Sequence, residues 1–157
     1  AAGAIGRGDE PRCAGYAPQI LGAVLPADES NVADRITRRR LRVHLRLLSR
    51  TNADRKIMKE RIGNAVLGQT NRPARLAYIF CHRMVEASMK FSHDYTRILG
   101  FVVAHELGHV LLPPGSHSDP GVMKGRANFW GKIAHEFTPE EGEAIRAMLR
   151  GLLEGRK

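Results

Sequence analysis

His105-Glu106-Leu107-Gly108-His109 is the stretch of this 157-residue chain that determines both its expected fold and its expected chemistry. In a helix, side chains four residues apart lie on one face, with Cβ atoms about 5–6 Å apart. Two imidazoles at that spacing can bind one zinc ion, each nitrogen at about 2.0–2.1 Å from the metal. Glu106 then lies beside the ion, in the position of a general base for a zinc-activated water.

The flanks of this motif predict a buried helix. Apolar residues occupy 102–104 before the motif and 110–112 after it, and they cover more than one helix face. Imidazole and carboxylate groups inside such a helix are costly unless they have partners, and a metal ion provides them. We therefore predict an active-site helix near 94–112, which Pro113 and Pro114 terminate.

A catalytic zinc site needs a third protein ligand and an open coordination position. His117 is the first candidate, because it lies eight residues after His109 and just past a Pro-Pro-Gly turn that can reverse the chain. Asp119 is the second candidate. A third set of candidates lies further downstream. It is the least favoured, because Glu140 and Glu141 are better explained as first-turn residues of the final helix. This set consists of Glu136, Glu140, Glu141 and Glu143.

The segment HELGHVLLPPGSHSDPGVM, residues 105–123, resembles the metzincin clan of zinc metallopeptidases. The pattern of that clan is HExxHxxGxxH, followed by a turn that contains methionine. The resemblance implies a general base, three zinc ligands and a methionine beneath the metal, which here are Glu106, His105, His109, His117 and Met123. Residues 76–146 are also similar to small bacterial zincin-like proteins with an HExGHxLL helix, an HS-x-x-G-[IV]-M loop and an FTPE helix start.

The sequence departs from the metzincin pattern around the third ligand. Leu112 stands at the position of the usual turn glycine, and His117 comes two residues later than the usual third histidine. Gly115 can provide the turn, so we expect a longer loop. Metzincins also often carry a tyrosine after the Met-turn, whereas all three tyrosines here precede the motif. Oxyanion stabilisation would then come from the metal, from His135 or from backbone donors.

Patterning around the motif predicts the remaining elements. Alternation over 41–48 predicts a half-buried strand, and the apolar run 76–81 predicts a second strand. Thr138, followed by proline and two glutamates, predicts the start of a helix that ends near Leu153. The less distinct expectations are a strand or turn at 19–25, a helix at about 28–40, a helix from Ala53 to Leu67 and a helical turn from Met84 to Phe91.

These elements predict an α+β, zincin-like fold. We expect a small mixed sheet packed on the active-site helix, followed by a short C-terminal subdomain with a terminal helix. One catalytic domain would span residues 1–157, with a loose arm at 1–18. In peptidases the strand before the active-site helix often forms the rim of the cleft, and residues 75–83 would have that role here.

Composition bears on partners and location. The chain has 25 Lys and Arg against 16 Asp and Glu, a net charge of +9, and its densest basic cluster lies between Arg35 and Arg50. No aromatic platform or glycine-rich phosphate loop accompanies that cluster, so nucleic acid is not the expected partner. No apolar run is long enough to span a membrane. Cys13 and Cys81 either form one disulfide or remain as two thiols.

The expected function is hydrolysis of peptide bonds in a peptide or protein substrate, with one catalytic Zn²⁺ ion. Two alternatives remain open: a zinc-binding domain without peptidase activity, and a basic protein that binds nucleic acid or an anionic surface. The chain begins at Ala1 rather than Met. We therefore expect a secreted or periplasmic rather than a cytoplasmic location, and nothing in the sequence sets the oligomeric state.

Overall fold

A computed structural model describes residues 42–63, 65–126, 129–134 and 136–154. This part of the chain is mixed α+β, with three strands and four helices. In chain order they are β1 (His44–Leu48), α1 (Arg50–Glu60), β2 (Gly68–Asn71), β3 (Leu76–Phe80), α2 (Cys81–Phe91), α3 (Tyr95–Leu111) and α4 (Pro139–Leu153). The arm expected at 1–18 and the elements expected at 19–25 and 28–40 lie outside the described residues.

The three strands form one small mixed sheet in the order β1-β3-β2. The central strand β3 runs parallel to β1, with His44 opposite Leu76, and antiparallel to β2, with Gly68 opposite Ile79. Ala77 and Ile79 are fully buried, and Ile79 belongs to the hydrophobic core that α3 also enters. The mixed sheet packed on the helix of the motif is therefore confirmed.

The strand expected to form the rim of a cleft, β3, is the central strand of the sheet and not an edge strand. β3 has a hydrogen-bonded neighbour on each side and offers no free edge to a peptide. Among the described residues, β2 is an edge of the sheet, and it lies next to α3. The sequence Gly-Gln-Thr-Asn of β2 shows no alternation of apolar and polar residues, so no pattern predicted a strand there.

The helix predicted from Ala53 to Leu67 is wrong at both ends, because α1 runs from Arg50 to Glu60. Arg61 adopts a left-handed conformation, with φ of 53°, and its N–H donates to the Ile57 carbonyl, which ends the helix. Two carbonyls beyond this point, those of Gly63 and Val66, accept hydrogen bonds of 2.7 and 2.6 Å from a buried guanidinium, that of Arg83. The segment before β2 therefore bonds to α2 instead of continuing as a helix.

The helical turn predicted at 84–91 is a complete helix, α2, and it includes Cys81, which was assigned to the preceding strand. Cys81 is buried, and its candidate disulfide partner Cys13 lies outside the described residues. The start of α3 is as expected, since the Asp94 carboxylate accepts hydrogen bonds from the backbone N–H groups of Thr96 and Arg97.

Helix α3 forms the centre of the described structure. Ten of its 17 residues are buried, in agreement with the prediction of a helix that is apolar on more than one face. The start of α4 is also confirmed: Thr138 and Glu141 form a capping box, each side chain accepting a hydrogen bond from the backbone N–H of the other. None of the described helices is both long and apolar enough to cross a membrane.

Candidate metal centre

Three imidazoles, two on α3 and one on the loop after it, converge on one point. Nε2 of His109 lies 3.1 Å from Nε2 of His105 and 3.1 Å from Nε2 of His117. The candidate ligand atoms of all three residues lie within 4.8 Å of one another. Two ligands in a tetrahedral zinc site are about 3.4 Å apart, given bonds of roughly 2.0–2.1 Å. The spacing therefore suits one small metal ion.

The orientation of His105 is fixed from behind. Its Nδ1 lies 2.8 Å from the carbonyl oxygen of Val122. A carbonyl only accepts hydrogen bonds, so Nδ1 carries the proton, and Nε2 of the neutral ring presents its lone pair to the other two histidines. An outer-shell carbonyl of this kind is a common partner of metal-bound histidine.

The surroundings favour the neutral forms of the two helical histidines. Burial is the main cause that lowers the pKa of His105. Burial, together with the two neighbouring imidazoles, lowers the pKa of His109 to about 4. Neutral imidazoles have a lone pair available for a metal, so protons compete little at neutral pH. Three imidazole nitrogens, one of them supported from the outer shell, form a donor set that fits zinc.

The loop after α3 brings His117 back to the helix. Gly115 has a φ of 78°, which favours glycine, and its carbonyl accepts a 2.7 Å hydrogen bond from the N–H of His117. The N–H of Ser118 donates to the Met123 carbonyl at 3.1 Å and closes the loop. The backbone at Gly125 passes beside the imidazole, since a Cβ there would lie 3.1 Å from Nδ1 of His117.

Met123 is fully buried and packs against α3 at Gly108, which lies one residue before the second histidine of the motif. A Cβ on Gly108 would collide with Sδ of Met123, and it would also lie 3.1 Å from the ring of Phe137. Gly108 therefore lets the loop side chain pack directly on the helix backbone. The structure places this methionine in contact with the turn of helix that carries His109.

Glu106 lies outside the group of three and faces β2. Its side chain is buried, with 5% of its surface exposed. The Thr70 hydroxyl lies 2.6 Å from Oε2 of Glu106 and 2.9 Å from its main-chain oxygen. Burial raises the pKa of Glu106 to about 7, and the hydrogen bond from Thr70 opposes that rise. A Cβ on Gly68 would lie 2.7 Å from Oε1, so a glycine there leaves room for the carboxylate.

The other candidate ligands are not brought to the three histidines. Asp119 has an exposed side chain that pairs with Lys124 at 3.5 Å. The side chain of Glu141 is used in the capping box of α4. The remaining candidates Glu136, Glu140 and Glu143 are exposed. His135, considered as an oxyanion partner, lies outside the described residues.

Sequence reasoning missed the residues that orient the predicted ones. Thr70 and Gly68 are 36 or more positions before Glu106, in a strand that no pattern predicted. Val122 acts through its main-chain carbonyl, which every residue possesses, so its side chain gave no signal. These contacts arise from the packing of β2 and of the loop on α3.

The basic cluster falls largely outside the described residues. Arg42, Arg46 and Arg50 are described, and all three are exposed. The guanidinium of Arg50 lies 3.7 Å from a carboxylate oxygen of Glu86 on α2. This part of the cluster has the character of a solvated surface.

Comparison of the chain with protein-family models, with curated proteins and with solved structures finds no match in any of the three. The resemblance to metzincins therefore rests on the sequence motif alone.

Proposed function

We propose that the protein is a zinc-dependent metallopeptidase with a zincin-like fold, which hydrolyses peptide bonds in peptides or proteins. The observation that carries this proposal is the convergence of three imidazoles, with Nε2 of His109 3.1 Å from Nε2 of each of the other two and the Glu106 carboxylate outside the set. A three-nitrogen set leaves a coordination position open, as catalytic zinc sites require.

The residues of the site have separate roles in this proposal. His105, His109 and His117 hold the ion, and Val122 keeps the first of them in the required tautomer. When bound, a zinc ion supplies Lewis acidity, which polarises a carbonyl oxygen and makes water more acidic. Glu106 accepts the proton of the attacking water and returns it to the leaving amine. Thr70 holds the Glu106 carboxylate in place through its hydroxyl.

The edge strand β2 is suited to bind the substrate main chain. The N–H of Phe80 donates to the Leu67 carbonyl at 2.9 Å, and these residues lie opposite each other in the antiparallel register. Bonding alternates along such a pair, so the main-chain groups of Gly68 and Thr70 point away from β3. An extended peptide can pair with these groups by strand addition, next to Glu106.

Metal analysis combined with digestion of a peptide library tests the proposal. We expect one zinc ion per chain and cleavage that a chelator abolishes and added zinc restores. Glu106→Gln should keep the zinc and lower the rate by roughly 10²–10⁴-fold, the usual contribution of general acid–base catalysis. Full activity of this variant would refute the role assigned to Glu106, and a protein that binds no zinc would refute the proposal as a whole.

A second candidate is a zinc-binding domain without peptidase activity. The low exposure of Glu106, 5%, and the contact of its carboxylate with Thr70 favour this candidate, because a base must be reached by water. One zinc per chain with no cleaved bond in any library peptide would identify it. Cleavage that depends on Glu106 would exclude it.

A further inference from the structure

A cavity of about 220 Å³ is lined by Phe101, whose ring also stacks on that of His105. Its apolar walls include Phe101 of α3 together with Phe129 and Ile133 of the segment before α4, all of them buried. Trp130 forms another wall and leaves 74% of its surface exposed. Small-molecule sites usually measure about 300–1,000 Å³, so this cavity is closer in size to a single amino-acid side chain.

The cavity adjoins the metal centre through one imidazole. The ring of Phe101 stacks on that of His105, with centroids 6.0 Å apart and an angle of 27° between the planes. Gly121 and Lys124, which also line the cavity, lie one residue before and two residues after Val122, whose carbonyl binds the same imidazole. A side chain close to the scissile bond of a bound peptide could therefore reach this cavity.

The aromatic wall is held by contacts with two helices and with the turn between them. The ring of Phe129 packs edge-on against that of Phe101, with centroids 5.7 Å apart. The ring centroid of Phe91 on α2 lies 5.7 Å from that of Phe129 and 5.0 Å from that of Trp130. Nε2 of His93 lies 2.8 Å from the Phe129 carbonyl, which ties the segment to the turn between α2 and α3. The cavity is thus a built feature rather than a gap beneath a single loop.

The charges at the cavity are predominantly positive. Lys124 and Lys132 line it, and Asp119 is the one acidic residue in the described lining. The Asp119 carboxylate pairs with Lys124 at 3.5 Å, but its side chain is 96% exposed and so is largely screened by water. Lys132 is exposed and has no ion-pair partner among the described residues.

We propose that this cavity binds a carboxylate of the substrate, carried on a short apolar stem, and so selects acidic peptides. The stem would contact the aromatic walls, and the carboxylate would lie near the amines of Lys124 and Lys132. This inference rests on the proposed peptidase function. Two sources share the chemistry: the side chain of a glutamate or aspartate near the scissile bond, and the carboxyl terminus of the peptide.

Hydrolysis of matched peptides provides the first test. Peptides that carry Glu or the isosteric Gln at one position near the scissile bond, each with a free or an amidated carboxyl terminus, separate the two sources. We expect kcat/KM to be about fivefold higher for peptides with the carboxylate of one source than for the matched peptides in which an amide replaces it. A partly screened charge pair contributes a factor of about this size. The ratio should fall towards one in Lys132→Gln and in Lys124→Gln, and at high salt.

Lys59→Gln is the matched control, because it removes the same charge from an exposed position on α1, away from the cavity. The preference should survive in this variant. Zinc content of each variant shows whether the metal centre is intact. Equal kcat/KM for all four peptides, or a preference that persists without both lysines, would overturn the inference.

A binding experiment tests the cavity without reference to hydrolysis. Trp130 is the only tryptophan of the chain and lines the cavity, so tryptophan fluorescence can follow binding there. The probes are N-acetylglutamate α-amide, N-acetylglutamine and the neutral N-acetylglutamine amide. We expect saturable quenching or enhancement with about fivefold tighter binding of one of the two acids than of the amide, lost in Lys132→Gln.

The two experiments distinguish the possible failures. Carboxylate binding without any peptide cleavage would refute the proposed function and keep the cavity as a carboxylate site. Peptide cleavage without carboxylate preference, together with identical titrations for the three probes, would refute the inference and keep the proposed function.

Discussion

At the scale of single residues, the site depends on groups that orient other groups. The Val122 carbonyl sets the tautomer of His105, and the Thr70 hydroxyl bonds to the carboxylate of Glu106. Neither residue belongs to the group of three that could bind an ion. Outer-shell partners of this kind typically change metal affinity or activity by 10–100-fold when they are removed.

His117 is the proposed ligand whose loss should be most informative, because it is exposed and lies outside α3. We expect His117→Ala to weaken zinc binding by more than the roughly 100-fold effect of an outer-shell change. Competition with a chromogenic chelator measures the affinity. His44→Ala, an exposed histidine on β1, is the control and should bind zinc as the wild type does. Unchanged affinity in His117→Ala would remove this residue from the site.

Thr70→Val keeps the shape of the side chain and removes the hydroxyl that bonds to Glu106. We expect kcat for peptide cleavage to fall by roughly 10–100-fold with unchanged zinc content, since the carboxylate loses its fixed orientation. Thr70→Ser restores the hydroxyl and should recover most of the activity. If the valine variant cleaves at the wild-type rate, or the serine variant is no better than valine, Thr70 does not position Glu106.

The stability of the metal-free protein should depend on pH through Glu106. Its pKa is about 7 in the folded chain, above the usual 4.5, so the folded state retains a proton that the unfolded state has released between these values. Stability is lost as the pH rises through this window, and the cost reaches at most about 3 kcal/mol above pH 7, because one pKa unit is about 1.4 kcal/mol.

Glu106→Gln removes this cost because the amide is never charged. In urea unfolding with a chelator present, we expect the variant and the wild type to be similar near pH 4.5. The variant should become more stable than the wild type by up to about 3 kcal/mol at pH 8. Glu136→Gln, at an exposed position, should show no such trend. A stability difference that stays constant with pH would contradict the explanation.

At the scale of secondary structure elements, the sequence predicts those elements whose own residues set their burial. α3 is apolar over more than one face and has a capping aspartate, and α4 begins with a complete capping box, so both were predicted nearly to the residue. β2 and the end of α1 depend on the distant Arg83, which binds the carbonyls of Gly63 and Val66. No local pattern contains that information.

Two glycines of α3 offer a paired test of how the loop packs on the helix. Alanine is the better helix former by about 1 kcal/mol, so Gly100→Ala, with no atom within 4 Å of the new Cβ, should stabilise the protein by up to about that amount. Gly108→Ala places its Cβ against the buried Met123 and should destabilise by about 1–3 kcal/mol.

Urea unfolding of the two glycine variants provides the measurement, and zinc affinity provides a second readout. Only Gly108→Ala should weaken zinc binding, since it displaces the loop that carries His117 and Val122. Equal effects of the two substitutions would show that Met123 can move aside without cost.

At the scale of the whole molecule, the site joins parts of the chain that are far apart in sequence. Glu106 contacts Thr70 of the sheet, and His105 contacts Val122 of the loop. The cavity is lined in part by Trp130, from the segment before α4. His105 and His109 were predictable because a spacing of four residues places two side chains on one face of a helix. His117 was predictable because it follows the Pro-Pro-Gly turn that ends the helix. Their partners were not, because they meet only when the sheet and the C-terminal part pack on α3.

Val122 also links the candidate metal centre to the last helix. Its carbonyl binds His105, and its own N–H donates to the Glu136 carbonyl at 3.0 Å, two residues before the cap of α4. The two peptide groups of Val122 thus connect His105, a proposed zinc ligand, to the residues that precede α4. By thermodynamic reciprocity, if the proposed zinc stabilises that segment, changes that stabilise the segment should strengthen zinc binding by the same factor.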